Sequence, residues 1–185
     1  MQELNLPSYQ FKFKEVDKKI QIFDAFRKKY VVLTPEEWVR QNFLQYLVTE
    51  KKYSASLIAV EAGLKYNELQ KRADILIYNK QGNPYLLVEC KAPEVKISQD
   101  TFDQVARYNM IFKVSYLVVT NGLDHFCCKM DYSNNSYQFL EEIPEYYIYK
   151  CNLYNARNSN SHCYRRKSSI QYCLEHISPN LWHIN

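Results

Sequence analysis

Apolar and polar positions along the chain repeat with two periods, and the switches between them outline the elements. Phe11-Lys12-Phe13-Lys14 and Ile20-Gln21-Ile22 alternate with period two, which predicts short strands in an N-terminal flap over residues 1–30 that packs on the core. Thr34-Pro35-Glu36-Glu37 combines a helix-capping residue, proline at the first helical position and glutamate at the third. Val39, Phe43, Tyr46 and Leu47 follow at helical spacing, so a helix is expected to run to about Lys51. Ser56–Glu61 reads as a strand closed by Gly63, and Lys71–Tyr78 as a second strand. Turn residues occupy 79–84, and Pro84–Lys91 reads as a third strand stopped by Ala92-Pro93. The second and third strands are apolar on both faces, which places them in the middle of a sheet.

A second amphipathic helix is expected over Ser98–Lys113, with Phe102, Val105, Ala106, Asn109 and Phe112 facing inward. Ser115–Thr120 is a fourth strand, ended by Asn121-Gly122. A closing hairpin follows, with arms His125–Met130 and Tyr137–Leu140 around Asn134-Asn135. The order from the first helix is α-β-β-β-α-β, an α/β architecture with a mixed central sheet flanked by helices. The main domain spans residues 31–146. From residue 147 to 185 the periodicity is lost, and Asn, Ser, Tyr and Cys dominate a C-terminal tail.

Composition narrows the function classes. The chain has 185 residues, enough for one domain with a real core, and 46% of them are hydrophobic. No run of about 18 apolar residues exists and the N-terminus has no apolar signal region, so no membrane span and a cytoplasmic location are expected. Only three glycines occur, and neither GxxxxGK nor GxGxxG is present, which argues against P-loop ATPases and dinucleotide-binding domains. Six cysteines fit free thiols: Cys90, Cys127 and Cys128 in apolar strands, Cys151, Cys163 and Cys173 in the tail. The tail cysteines with His176 match no standard zinc spacing. The net charge of +4 lies in the tail, where Lys150, Arg157, Arg165, Arg166 and Lys167 face Glu175 alone. Residues 1–149 are balanced, so any affinity of the body for nucleic acid must come from a local arrangement of charge.

Register arithmetic brings out the candidate chemistry. A hairpin centred between Gln81 and Gly82 opposes Tyr78 to Tyr85, Leu76 to Leu87 and Asp74 to Glu89. Opposed side chains have Cβ atoms ~4.5–5.5 Å apart. Lys91, two residues after Glu89, shares its face. Two opposed carboxylates among apolar neighbours are unfavourable unless a cation sits between them. Hard oxygen ligands of this kind suit Mg²⁺, with Mn²⁺ as a substitute, and the backbone carbonyl of Cys90 is a further candidate ligand. Such an ion acidifies a bound water and neutralises charge on an attacked phosphodiester, while Lys91 is placed to orient that water.

At these residues the chain resembles a known family. Arg72-Ala73-Asp74-Ile75 followed by Val88-Glu89-Cys90-Lys91-Ala92-Pro93 resembles the D…ExK core of the PD-(D/E)XK nucleases. The likeness is greatest to the nuclease domain at the N-terminus of type I restriction enzyme R subunits, and it covers about residues 30–145. Thr34–Arg40 resembles the leading helix, with Glu37 as its glutamate. Gln104 and Tyr108 resemble the glutamine and tyrosine of the helix after the ExK strand, and Tyr116–Gly122 resembles the next strand. Ala73 stands where the proline before the aspartate is usual. The resemblance implies a restriction-endonuclease-like core and Mg²⁺-dependent hydrolysis of DNA phosphodiester bonds. Asp74 and Glu89 would hold the metal and Lys91 would orient water, assisted by Gln104 and Glu37. It also implies restriction–modification subunits, or a second copy, as partners, because no ATPase motor motif accompanies the nuclease motif.

Each residue also has a structural reading. Asp74 and Glu89 could be strand-end acids paired with Arg72 or Lys91. Glu37 fits a capping box, Gln104 an exposed helix position, and Glu61 a strand end. Arg40, Arg72 and Arg107 could contact DNA phosphates or be ordinary surface arginines. Two functional alternatives remain: an accessory or DNA-binding module that keeps the fold without catalysis, and a metal-dependent hydrolase of a small substrate such as a nucleotide.

Overall fold

The computed structural model describes the backbone of residues 1–66 and 69–146, and side chains there except at 64–71 and 107–111. The tail, with its cysteines and His176, lies outside the described residues, as do the side chains of Arg107, Tyr108 and Asn109.

Two sheets form. The first is an antiparallel meander of β1 (Phe13–Val16), β2 (Lys19–Asp24) and β3 (Lys29–Val32). The third strand was not anticipated, because Tyr30-Val31-Val32 is a short unbroken run with no period-two alternation. Helix α1 (Pro35–Thr49) follows, and Thr34 caps it by accepting the Glu37 N–H at 3.1 Å.

The second sheet has six strands in chain order: β4 (Ile58–Tyr66), β5 (Leu69–Tyr78), β6 (Pro84–Cys90), β7 (Tyr116–Thr120), β8 (His125–Asp131) and β9 (Ser136–Leu140). Helix α2 (Gln99–Phe112) bridges β6 and β7, the parallel pair, which need such a crossover; all other neighbours are antiparallel.

Burial on both faces explains why β5 and β6 are interior strands. Ile75, Ile77, Leu86, Val88 and Val118 pack with Val39, Phe43, Leu44 and Leu47 of α1. On the opposite face Leu76, Leu87, Leu117 and Val119 pack with Phe102, Val105, Ala106 and Phe112 of α2. Each fully buried side chain of this kind contributes ~1.5–3 kcal/mol, so alternate positions of one strand stabilise two layers at once.

Two details differ from the expected pattern. Gly63 does not end β4: it pairs with Arg72, and the ladder continues to Tyr66↔Leu69. The β5–β6 ladder keeps Leu76↔Leu87 as expected, but Tyr78 pairs with Pro84 instead of Tyr85. The turn explains the slip. Asn79 Oδ1 accepts N–H groups from Gln81 and Asn83, the Asn79 N–H bonds to Asn83 O at 2.9 Å, and Gly82 adopts φ +80°. This closes a lopsided loop over 79–83 and leaves a bulge between Ile77 and Tyr78.

Candidate active site

Asp74 sits where the regularity of β5 breaks. On the β4 side the ladder runs through Val60↔Ile75 and resumes at Ala62↔Ala73, passing over Glu61, whose φ is +53°. Ala73 packs in the same cluster as Leu76, although strict alternation would put them on opposite faces. On the β6 side the ladder stops at Ile75↔Val88, one pair short of the expected Asp74–Glu89 opposition. There the Asp74 side chain takes over. The Lys91 N–H donates to Thr120 O of β7, so the Cys90 N–H points to the β5 side, where it donates to Asp74 Oδ2 at 2.7 Å. A charge-assisted bond thus replaces a ladder bond and fixes the carboxylate beside residue 90.

Glu89 and Lys91 flank that position. Lys91 Nζ lies 2.9 Å from Glu89 Oε1, and both side chains are largely but not fully buried. Burial pushes the Glu89 carboxyl above its ordinary range, and the charge of Asp74 adds to the rise while Lys91 opposes it. Burial works against the Lys91 ammonium, but its hydrogen bond to Glu89 and the charges of Glu89 and Asp74 outweigh that and raise its pKa. Asp74, Glu89, Lys91 and the backbone of Cys90 are therefore together. Cys90 Sγ is fully buried and held protonated by that burial.

Asp74 has a partner the sequence did not suggest. Arg40, expected at the surface, is 6% exposed. Its guanidinium reaches Asp74 Oδ1 at 2.7 Å and Glu36 at 2.9 Å, and it also pairs with Glu37. Burial opposes its charge, yet the surrounding carboxylates raise its pKa further. Its Nε is buried and has no hydrogen-bond partner. Glu37 is consequently not a simple capping-box acid: besides Arg40 it accepts from Gln41 at 2.8 Å and pairs with Arg27. Arg27 also holds Asp24 and reaches Glu61 at 3.0 Å. A chain of opposite charges thus runs from β2 through α1 to Asp74. Arg40 lies three and four residues after Glu37 and Glu36, a helical ion-pair spacing that was the one available hint. Asp24 and Arg27, which precede the helix, carried no such signal.

Gln104 is on the exposed side of α2, and Arg72 is exposed, 4.0 Å from Glu61. Cys127 and Cys128 are buried free thiols.

The donor set is one of hard oxygens. Among the described residues no group of three or more His, Cys, Asp or Glu has the spacing of a metal site. Mg²⁺ differs from zinc in needing only one or two carboxylates and keeping its waters, so two acids are not too few for it. Each carboxylate oxygen can accept more than one bond, so the contacts of Asp74 with Arg40 and Cys90 leave it able to bind a cation.

No curated protein matches the chain. Among solved structures, a fragment of a putative HsdR subunit of a type I restriction enzyme from Vibrio vulnificus YJ016 aligns at 22% identity with a TM-score of 0.44, over 60% of this chain and 24% of that one. The family described as type I restriction enzyme R protein N terminus matches residues 35–144, from the first residue of α1 to just past β9. That span is more than half of the chain and holds Asp74, Glu89 and Lys91: the chain belongs to the family of type I restriction enzyme R protein N-terminal domains.

Proposed function

We propose that this protein hydrolyses phosphodiester bonds in DNA with Mg²⁺ as cofactor, Mn²⁺ substituting, through a site of the PD-(D/E)XK type. The observation that carries the reading is the convergence at the end of β6. Asp74 is fixed to the Cys90 N–H at 2.7 Å, and the Glu89–Lys91 pair at 2.9 Å lies on either side of that residue. Asp74 and Glu89 would hold the ion, with the Cys90 carbonyl as a further oxygen ligand. Bound there, Mg²⁺ supplies a more acidic water and neutralises charge on the attacked phosphate.

The chain's own residues do the rest. Lys91 stays protonated at neutral pH and is poised to orient water and to balance negative charge as it develops. The buried setting of Glu89 favours binding a cation over standing as a free carboxylate. Glu37 acts through Arg40, which anchors Asp74, and Gln104 contributes from α2 to positioning water or phosphate. Restriction–modification subunits, or a second copy of the chain, are its proposed partners.

One observation favours a non-catalytic DNA-binding module instead: Arg40 already supplies Asp74 with a cation. Nicking of supercoiled plasmid by the purified chain separates the readings. Cleavage in Mg²⁺ or Mn²⁺ that stops in EDTA and in Asp74→Ala is expected. No cleavage under any metal condition, or cleavage that survives Asp74→Ala, overturns the nuclease reading.

A further inference from the structure

The balanced charge of residues 1–149 conceals a separation by face in the three-stranded sheet. The register pairs Lys14 with Gln21 and Gln21 with Val32, Val16 with Lys19, and Phe23 with Tyr30, while the Phe23 N–H bonds to Lys12 O. Directly paired residues share a face, so Lys12, Lys14, Lys19, Gln21, Phe23 and Tyr30 form one surface. The acids of the strands belong to the other side: Glu15 pairs with Ile20 and Asp24 with Lys29, on the same face as the fully buried Ile22. The outer face is thus cationic with no strand carboxylate on it, and all three lysines are exposed.

The face is also ordered. Phe23 and Tyr30 pack at 5.2 Å, and Lys14 Nζ stands 4.3 Å from the centre of the Tyr30 ring. That cation–π contact holds the ammonium in place without neutralising it. Lys12 and Lys14 are two residues apart along a strand, ~6.8 Å, and Lys19 is diagonal to Lys14 at ~7–8 Å. This is comparable to the spacing of successive phosphates on a DNA strand. The sheet is tied to the candidate site through Arg27, which follows β2 and joins Glu37 and Glu61.

From this charge complementarity we infer that the outer face of the N-terminal sheet is a binding surface for the phosphate backbone of duplex DNA, with Lys12, Lys14 and Lys19 as its contacts. The inference rests on the DNA reading above and adds to it a surface built from residues outside the D…ExK motif. It takes no part in the chemical step; it holds the duplex on the protein.

Binding of a fluorescent 30-base-pair duplex to the full chain, followed by anisotropy in EDTA over a salt series, tests it without cleavage. Each phosphate contact contributes ~0.9 to the slope of log affinity against log salt. Lys12→Gln/Lys14→Gln/Lys19→Gln is expected to lower that slope by about 2–3 and the affinity at low salt at least tenfold. A control with three exposed lysines neutralised elsewhere, Lys80→Gln/Lys113→Gln/Lys129→Gln, is expected to keep the wild-type slope. An unchanged slope in the first variant, or equal losses in both, overturns the inference. If the plasmid assay shows cleavage while the first variant binds like wild type, the surface fails and the nuclease reading stands. If no cleavage occurs but the first variant loses binding, the nuclease reading fails and the surface stands.

Discussion

Replacing Arg40 by methionine removes the charge that links α1 to Asp74 while keeping most of the stem's bulk. Three carboxylates lose a partner. Glu36 is 46% exposed and contributes little, because water screens it. Glu37 and Asp74 are 7% and 15% exposed at the side chain and matter more. Removing one member of a buried pair strands the other charge and typically costs about 3–5 kcal/mol. Arg27 and Gln41 still hold Glu37, and the Cys90 N–H still holds Asp74, which favours the lower end of that range. At ~2–4 °C per kcal/mol for a domain of this size, the melting temperature should fall by about 6–12 °C. Thermal unfolding followed by circular dichroism measures it. Mg²⁺ adds a second arm. If Asp74 is a ligand, a divalent cation takes over the lost counter-charge, so saturating Mg²⁺ should raise the melting temperature of Arg40→Met more than that of wild type. A variant that melts within a degree of wild type would refute the structural role. Equal Mg²⁺ shifts in the two proteins would refute the idea that metal and Arg40 act on the same carboxylate.

Glu89 has its pKa raised in the folded state above its ordinary value near 4.5, so its contribution to stability is lost as pH rises from there through the folded value. Glu89→Gln should therefore be more stable than wild type at neutral pH without metal, and inactive in the plasmid assay; a destabilised variant contradicts the assignment. Asp24 behaves oppositely. Burial raises its pKa, but the Arg27 and Gln41 hydrogen bonds outweigh that and lower it, so it adds stability above its unfolded value that is lost as pH falls through the folded one. Asp24→Asn should cost most at neutral pH and least in acid, read from melting temperatures across the series. Thr34→Ala removes the acceptor of the Glu37 N–H and should cost about 1 kcal/mol in urea unfolding. Gly122 has φ +84°, and a Cβ there would come within 2.8 Å of Leu4 and 3.1 Å of Val39, so Gly122→Ala should destabilise by more than ~1 kcal/mol.

The parts of the fold visible in the sequence were those with a local cause. Thr34-Pro35 fixed the start of α1 because capping and proline geometry act within one turn. The unbroken apolar runs at 75–77 and 86–88 marked interior strands because both of their faces are buried. Gly63 misled because glycine's freedom is permission, not instruction: where a strand neighbour supplies hydrogen bonds, it stays in the ladder. The Tyr78–Tyr85 pairing failed for a similar reason, since arithmetic across a hairpin assumes a symmetric turn and Asn79 makes this one lopsided. The candidate site was legible as a set of residues but not as a geometry. A two-residue spacing predicts that Glu89 and Lys91 meet, whereas no periodicity predicts that Asp74 leaves the ladder to bond the Cys90 N–H.

The ion-pair chain behind the site follows a logic that sequence patterns cannot express. Asp24, Arg27, Glu37, Arg40 and Asp74 span 51 positions, and no pair of them beyond one helical turn shares a periodic relation. Each is nonetheless constrained by its neighbours, because a buried charge is tolerable only next to its opposite. Arg27 is buried against Asp24 and Glu37, Glu37 against both Arg27 and Arg40, and Arg40 completes its fork on Asp74. The position of the Asp74 carboxylate therefore depends on the N-terminal sheet as well as on β5. Family membership covers residues 35–144, yet Asp24 and Arg27 lie before that span. The electrostatic support of the candidate site consequently begins outside the segment by which the family is identified.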